Sequence, residues 1–487
     1  YGIGYVYYSI GSDGYYSEAA AFDKYEKNTA QKWGAATYIK GSATAFRAEN
    51  ITFEASFNKY LTEEEVADGV EPGGRDIKNY DRTAPNADVT SRNATERAAA
   101  LAVEGNHSEF YNCKIVSSQD TLFTGNDSTS YFKNCFIDGN TDYIFGGGDF
   151  VFDACELSFY GYSDTEASGY ITAATEAINS GYVFRNCLIS ANSNLKKTPG
   201  YLGRPWGQHA TVAYINTKLE SSTVLTPVGW NEMSVKPELA NYKEFNTTIL
   251  GGEKADTSKR TSGTVQTSNP FADIEAVFAG WTPVYYTKES STVALEEALA
   301  IEGEAKSGET LEAVFSLGDN EGANVSTIQW YRVTEDGQET LVKTSLAYLD
   351  RTYTISADDK ECYIKAVVTP ETIGGTLGTA VDCTTESRVD VIEKADYTEV
   401  DAAIAEAEKL NAEDYVDFSK VTEAINAVVR DLPKTEQSRV DAMAKAITDA
   451  IAALDKKPAS IKIGDVDGDG DRDATDAILL RKYLAGK

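Results

Sequence analysis

The chain has 487 residues, more than one hydrophobic core usually organises, so two to four domains are expected. Its 45 Lys and Arg against 76 Asp and Glu leave a formal net charge of −31, which argues against nucleic acid or an anionic membrane surface as a partner. No apolar run reaches the roughly eighteen residues of a membrane span, no basic and then apolar leader opens the chain at Tyr1, and six cysteines are too few for a disulfide scaffold.

In chain order, residues 46–53 read as a first strand and the polar stretch from about 61 to 93 as a long surface loop. From Phe110 a repeat begins. Phe110-Tyr111-Asn112-Cys113, Phe132-Lys133-Asn134-Cys135, Phe152-Asp153-Ala154-Cys155 and Phe184-Arg185-Asn186-Cys187 each place an aromatic residue three positions before a cysteine. The cysteines are 22, 20 and 32 residues apart, the last interval leaving room for an inserted loop. Such periods mark stacked units that cannot bury their apolar faces alone. The flanking stretches are short, rich in β-branched residues and broken by Gly, Asn and Asp, so the units are strands and the fold is a parallel β-helix. Equivalent side chains should then stack about 4.8 Å apart, asparagines as a turn ladder and cysteines as an interior thiol column. No Cys-x-x-Cys pair or histidine accompanies those cysteines, so packing is their expected role.

Only two histidines occur, His107 and His209, and neither lies beside a Gly-x-Ser-x-Gly turn, leaving little for a serine hydrolase. Carboxylates remain. Asp120, in Gln119-Asp120-Thr121-Leu122, and Asp142, in Asp142-Tyr143-Ile144-Phe145-Gly146, are 22 residues apart, the same offset as Cys113 and Cys135. One coil should therefore place them on neighbouring rungs. Two such carboxylates cannot both ionise cheaply, so one keeps a proton and the other stays anionic, an acid beside a nucleophile. Arg204, in Leu202-Gly203-Arg204-Pro205-Trp206, is suited to hold Asp142 ionised, and Trp206 offers an apolar face to a sugar ring.

Those three motifs, in that order and spacing, resemble the signatures of pectin methylesterases, and the resemblance runs from about Ala45 to the Gly280-Trp281-Thr282-Pro283 stretch. It implies a right-handed parallel β-helix that hydrolyses methyl esters of pectin without a cofactor. By the same resemblance Asp142 is the nucleophile, Asp120 the acid and then base, Gln119 an oxyanion donor and Arg204 the residue that orients Asp142. Trp206, Trp230 and Phe123 are implied to line the sugar groove. Two departures stand out. Arg97 falls where the family usually has a second oxyanion glutamine, and the family's early Gly-x-Tyr-x-Glu segment and first coils are missing before Phe46. The rival readings are a β-helical pectate lyase or polygalacturonase and a non-catalytic pectin-binding or cell-surface protein with a disabled site.

Four modules are expected in this mainly β chain: the β-helix over 1–285, a β-sandwich over 290–392, a three-helix module over 395–456 and a calcium-binding loop and helix over 460–487. The sandwich rests on alternating runs such as Thr327-Ile328-Gln329-Trp330-Tyr331-Arg332, and resembles bacterial immunoglobulin-like spacers. Cys362 and Cys383 are placed either to bridge its sheets or to remain buried thiols. Phe418, Val421, Ile425 and Val428 follow one helix face, and Val440, Met443, Ile447, Ile451 and Leu454 another. Finally Asp465, Asp467, Asp469, Asp473 and Asp476 occupy positions 1, 3, 5, 9 and 12 of an EF-hand-like loop, with Gly470 at position 6 and Asp471 at position 7. With the helix after it this segment resembles one dockerin repeat, which implies Ca²⁺ and a cohesin module as partner. The expected setting is secreted or extracellular, with a cellulosome or a cell surface as the finer alternatives.

Overall fold

The computed structural model describes residues 35–61, 63, 66, 86–92, 94–95, 97–164, 169–192, 198–288, 293–318, 322–374, 377–390, 394–458 and 463–486. Most of the expected 61–93 loop lies outside the described residues. Two compact units result, one of residues 1–304, 310–354 and 362–387, the other of 305–309, 355–361 and 388–487.

The first unit contains three parallel sheets of six, seven and seven strands, arranged as the faces of a right-handed β-helix. Along the first face run Thr37–Ile39, Leu101–Val103, Leu122–Thr124, Ile144–Gly146, Tyr170–Ala174 and Tyr201–Gly203. Successive coils keep the register read from the repeat: Leu122 pairs with Ile144, Phe110 with Phe132, Ile115 with Ile137. The stretch expected as one strand over 46–53 is two, Arg47–Glu49 and Thr52–Glu54, because Asn50 between them is left-handed at φ 59° and turns the chain onto another face. The same corner recurs at Asn112, Asn134, Ala154, Asn186, Asn216 and Asn246, with φ between 49° and 55°. Asparagine tolerates this region better than other side chains. Here its amide also links coils: Asn112 donates to Asn50 at 2.6 Å and Asn246 to Asn216 at 2.9 Å.

Inside the coil the repeat is a column of stacked rings. Phe110, Phe132, Phe152, Phe184 and Tyr214 have successive centroid separations of 4.4, 5.0, 4.6 and 4.5 Å. Cys113, Cys135, Cys155 and Cys187 are buried free thiols, each donating to the carbonyl two residues earlier at 3.3–3.6 Å. The left-handed corner before each cysteine brings that carbonyl within reach of the thiol. Two short helices, Ile274–Val277 and Val284–Thr287, cover the outer side of the second sheet through Phe278 and Tyr285. Trp281 of the closing segment stacks on His107 at 4.6 Å.

Also within this unit are an antiparallel three-stranded sheet (Ala300–Glu302, Thr310–Val314, Thr352–Thr354) and a four-stranded one (Thr327–Val333, Glu339–Leu346, Tyr363–Thr369, Val381–Thr384). Trp330, fully buried, stacks on Tyr353 between them. Val325 and Ile373 pack against Ala154, Leu188 and Leu250 of the β-helix, and Tyr348 donates to Glu156 at 2.6 Å. Cys362 and Cys383 are both free. In the second unit Thr398–Glu408, Ser419–Asn426 and Gln437–Ala452 are helices around Val400, Val440 and Ile447, with Val421 also buried. The second helix ends at Asn426, so Val428 lies beyond it while still packing on that cluster. Among the described residues no helix is long and apolar enough to cross a membrane.

Candidate active site

Side chains from successive coils of the first face converge on two carboxylates. Asp120 and Asp142 each precede a paired strand residue by two positions, so they occupy the same slot one coil apart. Both are left-handed, at φ 60° and 52°, and the Asp120 amide donates to the Thr141 carbonyl at 3.0 Å. The two residues are 5% and 6% exposed.

Arg204 grips Asp142 in a fork, Nε to Oδ1 at 2.8 Å and Nη2 to Oδ2 at 2.7 Å. Two glycines of the motifs make the close approach feasible. A Cβ on Gly146, itself at φ 115°, would overlap the Thr124 carbonyl, and one on Gly203 would overlap the Thr172 hydroxyl. Arg204 is held from its other side by Tyr170, whose ring lies 4.1 Å from the guanidinium, stacks on Tyr201 at 5.2 Å and accepts a hydrogen bond from Asn231 at 3.1 Å.

Burial pushes the Asp142 carboxyl up, and the Arg204 fork works against that rise. Burial also pushes Asp120 well up, and the neighbouring Asp142 adds to it, while Arg97, Arg204 and Gln119 oppose it. When the pair holds one proton, it therefore resides on Asp120. Gln119 directly precedes Asp120 and its side chain favours the Asp120 anion, and Arg97 sits one coil before Gln119, joined to it by a parallel β-bridge.

Several supporting groups carry no motif of their own. Asn140 donates to the Ser118 hydroxyl at 2.9 Å and to the Gly161 carbonyl at 3.1 Å, and accepts from Gly161 N at 2.6 Å, fixing the turn that carries Asp142. The hydroxyls of Thr141 and Tyr162 are hydrogen-bonded. Asp138, paired with Lys59 at 2.5 Å, anchors Ser117 N at 3.1 Å, and burial pushes its carboxyl up to about 6. Asn140 stands beside the motif and Lys59 on the first-coil turn, so neither had a spacing signal. Tyr170 could have been sought as an aromatic residue on the strand between the Asp142 and Arg204 strands.

Of the expected groove residues, Phe123 and Trp206 are partly exposed on either side of Phe145, with ring centroids 5.3 and 6.4 Å from it. Trp230 is a correction. It is 2% exposed, stacked on Tyr242 at 4.2 Å inside the coil, and has no face to offer a sugar.

In the other unit Asp465, Asp467 and Asp476 bring carboxylate oxygens within 4.8 Å of one another. Asp469 and Asp471 stand outside that group, and the Asp473 carboxylate caps the helix Ala474–Ala485 through Thr475 N at 2.6 Å.

The pectinesterase family profile matches residues 81–273. Pectinesterase A of Emericella nidulans is 37% identical over 168 residues, 34% of this chain and 48% of that protein. Pectinesterase QRT1 of Arabidopsis thaliana is 34% identical over 164 residues, 32% of this chain and 40% of that protein. The chain thus spans about half the length, or less, of these relatives. Among solved structures, the pectin methylesterase from carrot is 25% identical with a TM-score of 0.35, covering 48% of this chain and 64% of that one. That from Yersinia enterocolitica is 25% identical with a TM-score of 0.38, covering 52% and 80%.

Proposed function

We propose, for a chain whose residues 81–273 form a pectinesterase-family domain, that it hydrolyses methyl esters of pectin and releases methanol. The observation that carries this reading is the buried aspartate pair with one member forked by Arg204. An Oδ of Asp142 attacks the ester carbonyl carbon, and the oxyanion so formed accepts hydrogen bonds from Gln119 and from Arg97, whose cation stands on the adjoining coil. The C–O bond to the methoxy group breaks as Asp120 delivers its proton, and methanol leaves an acyl-Asp142 anhydride. Asp120, now anionic, takes a proton from water, whose oxygen attacks the acyl carbon. Asp142 departs as the carboxylate that Arg204 stabilises, and Asp120 is again protonated. Every bond made or broken is served by side chains of the first face. Phe123 and Trp206 are the apolar surfaces suited to the sugar rings.

The antiparallel sheets over 290–392 are proposed as an immunoglobulin-like spacer and the helices over 395–456 as a further spacer. Residues 460–487 are proposed as a dockerin-like segment that takes Ca²⁺ and a cohesin module. Asp465, Asp467 and Asp476 fit a hard cation, being an all-oxygen set with Gly468 and Gly470 left-handed between the first and last. An extracellular setting follows from the substrate.

The test is methanol release from highly methylated pectin, with solution viscosity followed in parallel and Asp142→Asn as control. Methanol at unchanged viscosity upholds the esterase reading. Falling viscosity without methanol indicates a depolymerase, and binding without either indicates a disabled site.

A further inference from the structure

Resting on the esterase reading, we propose that Arg97 is a positioning residue for the proton. Its cation, one coil before Asp120, determines how far up the pH scale Asp120 keeps the proton that departing methanol needs, and so sets the alkaline edge of the reaction.

The placement is structural. The β-bridge between Arg97 and Gln119 aligns the arginine with the residue next to Asp120, and the Ala98 amide, next to Arg97, donates to the Gln119 carbonyl at 3.3 Å. Arg97 is half-buried, so its charge reaches the pair through less water than a surface cation's would. Among the described residues, the charged and titratable groups that act on Asp120 come from neighbouring coils. Asp142 and Arg204 act on it from the coils beyond, Tyr162 from the 161–164 turn and Arg97 from the coil before, with the uncharged Gln119 amide beside it in sequence. Arg204 is committed to Asp142 by two hydrogen bonds. Among the described residues, Arg97 is therefore the cation whose removal changes Asp120 without releasing the nucleophile. A neutral amide at position 97 would still donate to an oxyanion but would not favour an anionic Asp120.

The sign is definite. The turnover-competent form needs Asp142 ionised and Asp120 protonated, so activity falls on the alkaline side as Asp120 loses its proton. Arg97 favours the anion and brings that edge down. The same anion is the base of the second half-reaction, so the arginine favours hydrolysis of the acyl-enzyme while narrowing the range in which it forms.

The experiment is the pH profile of kcat/KM for methanol release by the whole chain, its Arg97→Gln and its Arg97→Lys variants. Arg97→Gln should shift the alkaline edge to higher pH with the acid edge unmoved, and Arg97→Lys should leave both in place. An Arg97→Gln enzyme that turns over with the wild-type alkaline edge, or an Arg97→Lys enzyme shifted as far as Arg97→Gln, overturns the proposal. A second measurement needs no turnover: infrared titration of the Asp120 carboxyl in Asp142→Asn, with and without Arg97→Gln, using Asp120→Asn/Asp142→Asn to subtract other carboxyls. Titration at higher pH in the Arg97→Gln chain upholds the coupling, and an unmoved titration refutes it. Failure of the esterase reading is distinct, because it appears as no methanol from the unmodified chain.

Discussion

Replacing Arg204 with alanine probes the contact on which the proposed chemistry turns. The fork joins side chains that are 22% and 9% exposed, so its loss leaves a carboxylate largely out of water. Deleting one partner of a buried pair costs about 3–5 kcal/mol if the other stays charged. A carboxyl avoids most of that cost by taking up a proton. Burial already pushes Asp142 up, and Arg204 is what opposes the rise, so the neutral form should persist to higher pH in the variant. A neutral Asp142 is no nucleophile. At neutral pH kcat should fall by about 10²–10³, as when one oxyanion donor is deleted, which is about 2.7–4 kcal/mol of transition-state stabilisation. The acid limb should move to higher pH, and part of the lost rate should return there. Arg204→Lys keeps the charge without the planar fork and should fall between the two. Initial rates of methanol release across the pH range, with circular-dichroism melts to establish folding, read both effects. An Arg204→Ala enzyme with wild-type kcat and an unmoved acid limb would refute the assignment of Asp142 as the ionised partner.

Asp142→Asn and Asp120→Asn should each abolish methanol release with the fold intact. Because the folded-state pKa of Asp120 is raised, its ionisation opposes folding as pH rises above the ordinary carboxylate range. Asp120→Asn should therefore raise Tm near pH 8 and leave it nearly unchanged near pH 3, and equal shifts at both would contradict the burial argument. Trp206→Ala should raise KM with little change in urea midpoint, whereas Trp230→Ala should cost about 3–5 kcal/mol of stability as an emptied core position. The reverse pattern would restore Trp230 to the groove. Chelation should leave methanol release unchanged, and Asp465→Ala should abolish calorimetric Ca²⁺ binding by the whole chain. Loss of esterase activity on chelation would contradict a metal-free site.

The β-helix was legible because its period is written in covalent spacing. The offset between Cys113 and Cys135 is the offset between Asp120 and Asp142, and the observed register of Leu122 with Ile144 preserves it. Corners were less legible. Asn50 divides residues 46–53 into two strands through a backbone angle that composition does not specify. Trp230 was misread because a tryptophan near a sugar site and a tryptophan in an aromatic core look alike in sequence, and only the stacking on Tyr242 separates them. Tyr170 and Asn140 reach the site by contacts between coils whose loops differ in length, so no fixed spacing announces them. The acidic loop was legible as a set of oxygens, yet Asp473 serves the helix cap, a use that the same residue type supports equally well.

The two kinds of corner explain why the proposed catalytic pair depends on cations. At the asparagine corner each side chain has a donor and an acceptor, so successive coils can satisfy one another, as Asn112 does with Asn50. Asp120 and Asp142 fill a left-handed slot of the same backbone type, but ionised carboxylates only accept. Stacked in that slot they repel unless one is protonated or a cation intervenes. Here both occur: burial and Asp142 keep the proton on Asp120, and Arg204 takes up the charge of Asp142. Substitution by alanine would confound this chemistry with backbone strain of about 1–3 kcal/mol at a positive φ, whereas asparagine keeps the conformation and supplies the missing donor. Equal loss of turnover in Asp120→Asn and Asp120→Ala, with lower stability in the alanine variant alone, would separate the slot's conformational demand from its carboxylate. Equal stability of the two would mean that the left-handed angle imposes no such demand.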